Sequence, residues 1–276
     1  MLERMASHRC PASRAVAALR IAAILACAGC AATPALQPRV VLLGEQHDQG
    51  DHQRQAAAEV RALAAAGRLG GVVIEMAERG HATAGLPAAA SEAQAREALA
   101  WDEHAWPWER YRAIVMAAVV AGVPVYGGNL PRSAMRDAMA DAALDSAIDE
   151  RARAILLRAV RDGHCGLLPE SQLPGMLRVQ IARDRAMAQA LRDALAAAAG
   201  RQVLLYSGAE HAARDRGVPL HLQAAGLPAH SIRSVAYGDA GGDAAASFDE
   251  RRAAVETPGP DPCEALRKQL EAGPAR

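Results

Sequence analysis

Short apolar runs that stop abruptly at polar residues limit most strongly what this chain can fold into. Val40-Val41-Leu42-Leu43 ends at Gly44-Glu45-Gln46-His47, and Val72-Val73-Ile74 ends at Glu75. Val123-Pro124-Val125-Tyr126 leads into Gly127-Gly128-Asn129, and residues 202–206 lead into Ser207-Gly208-Ala209-Glu210-His211. A fifth run covers 231–237. Compact β-branched runs without polar alternation are the pattern of strands buried on both faces. Longer Ala-rich stretches separate them, and their spacing predicts helices over 51–66, 91–100, 114–121, 175–199 and 217–225. Gly67 and Gly70-Gly71 are read as the stop of the first helix, and Pro131 opens a broken helical region to Arg161, followed by a loop over 162–174. Strands alternating with helices imply an α/β fold: a mostly parallel sheet of about five strands with helices on both faces. The domain is expected over 39–238, with a loose Gly, Ala, Pro and Asp-rich tail over 239–276 that closes with a short helix near Cys263.

The N-terminus reads as a targeting segment. Arg4, Arg9, Arg14 and Arg20 precede an apolar run from Ile21 that ends in small residues. A basic start, a short apolar middle and a small-residue exit are the parts of an export signal. The run is well below the roughly 20 apolar residues of a spanning helix. Ala28-Gly29-Cys30 fits the end of a lipobox, so 1–29 is read as a lipoprotein signal, Cys30 as the acylated residue and 30–38 as a tether. Cys27 is a second candidate, and an ordinary cleaved signal is the plainer alternative. Acylation would anchor the chain to a membrane without spanning it. Ala31, in place of Asp after Cys30, points to the outer membrane facing the periplasm.

The remaining chain fits one α/β domain with a large core. That core must be aliphatic, because hydrophobic residues make up 51% of the chain and aromatic ones 3%. Basic and acidic residues balance at 31 each, which gives no nucleic-acid footprint. Cys165 and Cys263 lie in the domain and tail, and either a bridge between them or two free thiols is consistent with an exported chain.

Function is placed by position. All strands of a parallel sheet present their C-terminal ends at one edge, and ligands bind there. Glu45, His47, Glu75, Asn129, Glu210 and His211 would therefore converge. Each alone can be a helix-capping acid or a hydrogen-bonded core histidine. Together they are a site, either for acid–base catalysis by Glu45, His47, Glu75 and His211 or for a divalent metal ion on His47, Glu75 and His211. Gln180, Asp184 and Met187 recur on one helix face and can reach the same edge. Trp106, Trp108 and Tyr111 can form an apolar wall for a planar ligand, or a satellite core cluster. No Gly-x-Ser-x-Gly elbow, His-Glu-x-x-His pair or P-loop occurs.

These residues together resemble the ChaN haem-binding lipoproteins. The opening motif is Val41-Leu42-Leu43-Gly44-Glu45-Gln46-His47-Asp48 with His52. Val73-Ile74-Glu75-Met76, Trp106-Pro107-Trp108 with Tyr111, and Gly128-Asn129-Leu130 follow in family order. Gln180 with Arg183, Asp184, Met187 and Ala188, then Gly208-x-x-His211 and Gly217-Val218-Pro219, complete a series over roughly 39–237. The wider superfamily includes the Tiki proteins, described as metalloproteases, and the erythromycin esterases. The resemblance implies an α/β fold, haem held without covalent links for iron or haem uptake, a tyrosine ligand and a homodimer that stacks two haems. It points to Tyr111 first and Tyr206 second as ligand. Trp108, His47, Asn129, Gln180, Asp184 and His211 are the other expected haem contacts. A hydrolase built on the Glu45–His47 and Glu210–His211 motifs is the alternative.

Overall fold

The computed structural model describes residues 37–239, 245–259 and 261–272. The signal over 1–29, Cys30 and the tether up to residue 36 lie outside the described residues. The elements alternate as expected. They are β1 (Val40–Glu45), α1 (Gly50–Ala65), β2 (Leu69–Glu78), α2 (Glu92–Ala98), α3 (Trp108–Val120) and β3 (Val125–Asn129). Next come α4 (Met135–Ala140), α5 (Glu150–Gly163), α6 (Leu173–Ala197), β4 (Gln202–Gly208), α7 (Ala209–Ala212), α8 (Val218–Ala224) and β5 (Ile232–Tyr237). The tail adds β6 (Glu250–Arg252) and α9 (Pro262–Ala272).

The sheet has six strands in the order β3-β2-β4-β1-β5-β6, and every pairing is parallel. Successive strand residues point to opposite faces, so each strand feeds two cores. Val41, Leu43, Val72, Ile74 and Leu204 pack with α1 and α3. Val40, Leu42, Val73, Val203 and Leu205 pack on the other face with α6 and α8. Ala138, Leu156, Leu177 and Ile181 join α4, α5 and α6 in a smaller cluster. Fully burying an aliphatic side chain of this kind stabilises by roughly 1.5–3 kcal/mol before entropy is counted. The all-apolar strands are thus what two covered faces require.

Two expectations are corrected. Gly70 and Gly71 do not stop a helix; they lie inside β2, which is ten residues long. A side chain at Gly70 would meet the Ala198 Cβ at 2.5 Å, so glycine here allows the end of α6 to close onto the strand. The tail is not loose throughout. β6 pairs with β5, the Val255 N–H donates to Asp51 Oδ2 at 2.8 Å, and Gln49 exchanges two bonds with the Thr257 backbone. Cys165 and Cys263 form a disulfide that ties the start of α9 to the turn after α5.

β1 and β4 are neighbours, yet α1 leaves β1 for one face while α8, reached from β4, covers the other. This is the topological switch point at which open α/β sheets open a crevice. The register places Glu45 beside Gly208 at its mouth. Gly44 allows the β1 end to sit against α7, because a Cβ there would lie 2.9 Å from the Ala209 Cα and 3.0 Å from the Ala212 Cβ. Gly44→Val should therefore destabilise the fold by about 1–3 kcal/mol. A urea-denaturation midpoint unchanged from the parent would show that α7 is not held this closely.

Candidate functional site

Four strand ends supply one polar cleft. Glu45 is 2% exposed and accepts from three donors. They are the His47 Nδ1–H at 2.8 Å, the Gln53 amide at 3.0 Å and the Tyr206 hydroxyl. Gln53 also donates to the His47 carbonyl at 2.9 Å, and Arg110 donates to that same carbonyl at 2.8 Å. The turn is thus clamped to both α1 and α3. The His47 side chain remains 39% exposed, with the Trp106 ring edge-on at 4.9 Å. Gly208 faces it closely, since a Cβ there would come within 3.1 Å of His47 Nε2.

Glu75 is the buried centre of the cleft, 1% exposed. One carboxylate oxygen accepts from Arg183 and lies 3.5 Å from His211 Nε2. The other accepts from the Gly208 N–H at 2.7 Å. His211 shares a 2.6 Å hydrogen bond through Nδ1 with Asp184, and the Gln180 amide lies 3.2 Å from the same nitrogen. Arg183 also donates to the Asn129 side chain at 3.0 Å. Consecutive residues on α6 thus serve different partners: Asp184 turns to His211 and Arg183 to Glu75.

The electrostatics follow from this pairing. Burial alone would raise the Glu75 pKa, but His211, Arg183 and His47 together hold it well below the usual carboxylate range. Burial opposes protonation of His211, but Glu75 and Asp184 outweigh it and push the pKa up to about 9. His47 follows the same logic: burial lowers its pKa, and Glu45 with Glu75 more than reverses this. Burial and the adjacent Glu45 drive the Tyr206 and Tyr111 hydroxyls strongly towards the neutral form.

Glu45, His47, Glu75, Asn129, Gln180, Asp184 and His211 do meet. Glu210 does not join them; it pairs with Arg216. Met187 is fully buried in the core behind Gly128. Tyr111 and Tyr206, the expected axial ligands, are each 1% exposed, and their hydroxyls lie inside the fold near Glu45. Trp108 is buried too, with its ring N–H donating to Glu92 at 2.9 Å, so Trp106 is the ring at the cleft. Among the described residues no three His, Cys, Asp or Glu side chains are arranged to hold a metal ion. The expected set of His47, Glu75 and His211 has its central carboxylate taken by Arg183 and Gly208. Two contributors are missing from the strand-end reading: Gln53, one helical turn after Gln49 on α1, and Arg183, one residue before Asp184.

Beside Trp106 the cleft continues as a cavity of about 260 Å³ lined by Met76, His81, Asn129, Leu130, Arg132 and Arg183 among others. The fold and site define a parallel α/β protein whose switch-point cleft is lined by coupled histidines and carboxylates. The chain belongs to the family of haem-binding uptake proteins, ChaN, of the Tiki superfamily, whose family model matches residues 32–222. In structure it is similar to a ChaN of Campylobacter jejuni described with cofacial haem binding, with a TM-score of 0.64 and 22% identity over 80% of this chain and 89% of that one. It is also similar to the type III effector HopBA1, with a TM-score of 0.50 and 13% identity over 79% of this chain and 88% of that one. No curated protein sequence matches.

The His211 value carries a pH dependence. Its pKa is about 9 in the fold, against about 6.5 in an unfolded chain. The stability it contributes is therefore complete below about pH 6.5 and lost as pH rises through about 9. Unfolding free energy should fall over that window, with a smaller fall in Asp184→Asn. An NMR titration that placed the His211 midpoint at or below about 6.5 would contradict the pairing.

Proposed function

We propose that this protein is an exported, lipid-anchored haem-binding protein that holds haem non-covalently in the cell envelope for iron or haem uptake. The family membership and the open, carboxylate-oriented His47 together support this reading. The leader over 1–29, with Cys30 as the acylated residue, supports anchoring at the outer membrane facing the periplasm. The cofacial haem arrangement named for the Campylobacter jejuni relative supports a homodimer as the haem-loaded form.

The observation that carries the haem reading is the state of His47. Its Nδ1 faces the Glu45 carboxylate, which can only accept, so in the neutral imidazole the proton sits on Nδ1 and Nε2 carries the lone pair. A carboxylate on the far nitrogen orients a ligating imidazole and raises its basicity. Nε2 of this kind is a suitable ligand for haem iron, which supplies the redox-active, ligand-binding centre when bound. Trp106 offers a ring wall and Met76 and Leu130 offer apolar surface, while Arg132 and Arg183 on the same lining are paired with Asp102 and Glu75. Tyr111 and Tyr206 would have to leave the interior and lose a proton to serve instead.

Titration of the mature protein with hemin should give a shifted Soret band. His47→Ala should weaken binding by at least about tenfold, whereas Tyr111→Phe and Tyr206→Phe should leave the spectrum unchanged. Absence of any Soret shift would remove the haem reading, and loss of the band in a tyrosine variant alone would move the ligand to that tyrosine.

A second reading rests on the two His–carboxylate dyads, Glu45–His47 and Asp184–His211, set around Glu75. His47 Nε2 can accept a proton while the charged His211–Glu75–Arg183 group positions a polar substrate. This is the machinery of a hydrolase acting on esters or amides. Ester turnover that disappears in a folded His47→Ala variant would favour it.

A further inference from the structure

The two edges of the sheet differ in charge, and the site uses only one. The C-terminal edge carries Glu45, Asp48, Asp51, Glu75, Glu78 and Glu210, with Arg183 and Arg216 paired to Glu75 and Glu210. The opposite edge is formed by residues 37–39, 64–71, 83–90, 121–124, 198–202 and 225–231. The hydrogen bonds across it run from Arg39 N to the Ser231 carbonyl, from Gln202 N to the Arg68 carbonyl, and from the Gln202 side chain to the Pro38 carbonyl. Thr83 and Val125 close its far end, with the Thr83 N–H donating to the Val125 carbonyl at 2.8 Å. These six segments contain no Asp or Glu at all. They are built from Ala, Gly, Leu, Pro and Val, with Arg39, Arg68 and Arg201 exposed among them.

Those arginines are not neutralised within the fold. Arg68 donates to the neutral Gln202 amide and Arg201 to the Ala198 carbonyl. Arg39 and Arg61 are exposed as well, and none of the four has an ion pair among the described residues. At the corner of the same edge, the ends of α1 and α3 leave an apolar groove of about 610 Å³ lined by Ala64, Met116, Ala117 and Val120, with Arg61 on its rim. Val120 is 63% exposed, one of few large apolar side chains so placed among the described residues.

We infer that this edge docks flat on an anionic phospholipid surface. Uncompensated arginines on a carboxylate-free face are attracted to anionic headgroups. Their long stems let the guanidinium stay at headgroup level above apolar surface. Small and aliphatic turn residues, with Val120 and Met116, suit the shallow apolar zone beneath. The chain outside the structure leads to the same place. Residues 31–38 join Cys30 to Arg39 at this edge, and eight residues reach at most about 30 Å fully extended. An acyl group on Cys30 would hold the start of β1, at this edge, within that reach of the bilayer. Docking fixes the orientation: the cleft at the opposite edge points away from the membrane, into the aqueous space.

The inference extends the anchored reading of the proposed function, and the two fail differently. The mature lipoprotein would be reconstituted on vesicles of phosphatidylethanolamine with phosphatidylglycerol, and separately on phosphatidylcholine, with hydrogen exchange followed by mass spectrometry. Exchange in 62–68 and 119–124 should slow several-fold on the anionic vesicles only, and 45–52 should not change. Raised salt should reverse the slowing, because headgroup attraction is screened within about 8 Å at physiological ionic strength. The Arg39→Glu/Arg61→Glu/Arg68→Glu/Arg201→Glu variant should lose the slowing while remaining attached through its anchor. Equal exchange on both vesicle types, or slowing that survives the four substitutions, would overturn docking. A purified chain without the acyl mass would instead defeat the anchor and leave the electrostatic contrast measurable.

Discussion

The burial of the Glu75 carboxylate sets the terms for the whole cleft. A charge with 1% exposure is tolerated only where its lone pairs are matched by donors and its charge by a cation. Here Arg183 from α6 and the Gly208 N–H at the end of β4 supply both, with His211 alongside. Each partner is fixed in turn: Arg183 by Asn129 at the end of β3, and His211 by Asp184. One carboxylate therefore couples three strands and the long helix behind them. Loss of its partner would leave a buried charge uncompensated, which costs several times more than an ordinary hydrogen bond. Such a network holds its side chains in one arrangement, which is what a preformed site needs.

Much of this arrangement is legible in the sequence. Apolar runs stopping at Glu45, Glu75, Asn129 and His211 predict strands that end at a polar edge, because a parallel sheet can bring them together in only one way. Helix positions followed from Ala-rich spacing for the same reason. What stayed hidden is instructive. Gly70 and Gly71 look like a helix stop, since glycine is the commonest residue there; in fact both lie inside β2, Gly70 under the close approach of Ala198 and Gly71 against the Tyr126 ring. β6 is three residues long and takes its place from a neighbour, β5, so its own residues carry little signal. Gln53 is indistinguishable from a solvated helix residue until the strand end it serves is in view, and Arg183, though it stands beside Asp184 in the family motif, gives no sign there that its partner is Glu75.

The tyrosines show the deeper limit. Tyr111 sits in a motif position and Tyr206 beside the motif of Gly208, and a motif records which residues accompany one another without saying which way they face. In the fold the Tyr206 hydroxyl binds the same Glu45 that orients His47. Its role in this arrangement is to help satisfy a buried carboxylate, and so to hold the imidazole from behind. Helix register decides the matter for Tyr111: it lies one turn after Trp108 on the buried side of α3, where its ring meets Trp106, Trp101 and Tyr206. An aromatic-poor chain thus gathers five of its eight Phe, Trp and Tyr rings beneath the cleft, behind the Glu45–His47 turn.

Glu45 is also where the two functional readings meet. By holding the Nδ1–H it leaves His47 Nε2 as an acceptor, and a ligand lone pair and a general base are the same lone pair. Iron bound there would occupy the electrons that a hydrolytic base needs, so one imidazole cannot do both at once. Protonation competes with each in the same way, and the carboxylates that raise the His47 pKa make that competition stronger as pH falls. The His211 pair has a different character. Its charge is locked between Glu75 and Asp184 and fully buried, so it cannot exchange protons with solvent as readily as the half-open His47. The cleft therefore has one imidazole free to react and one committed to structure. Which chemistry takes place depends on what reaches His47 from the open side, past Trp106 and the arginines beside it.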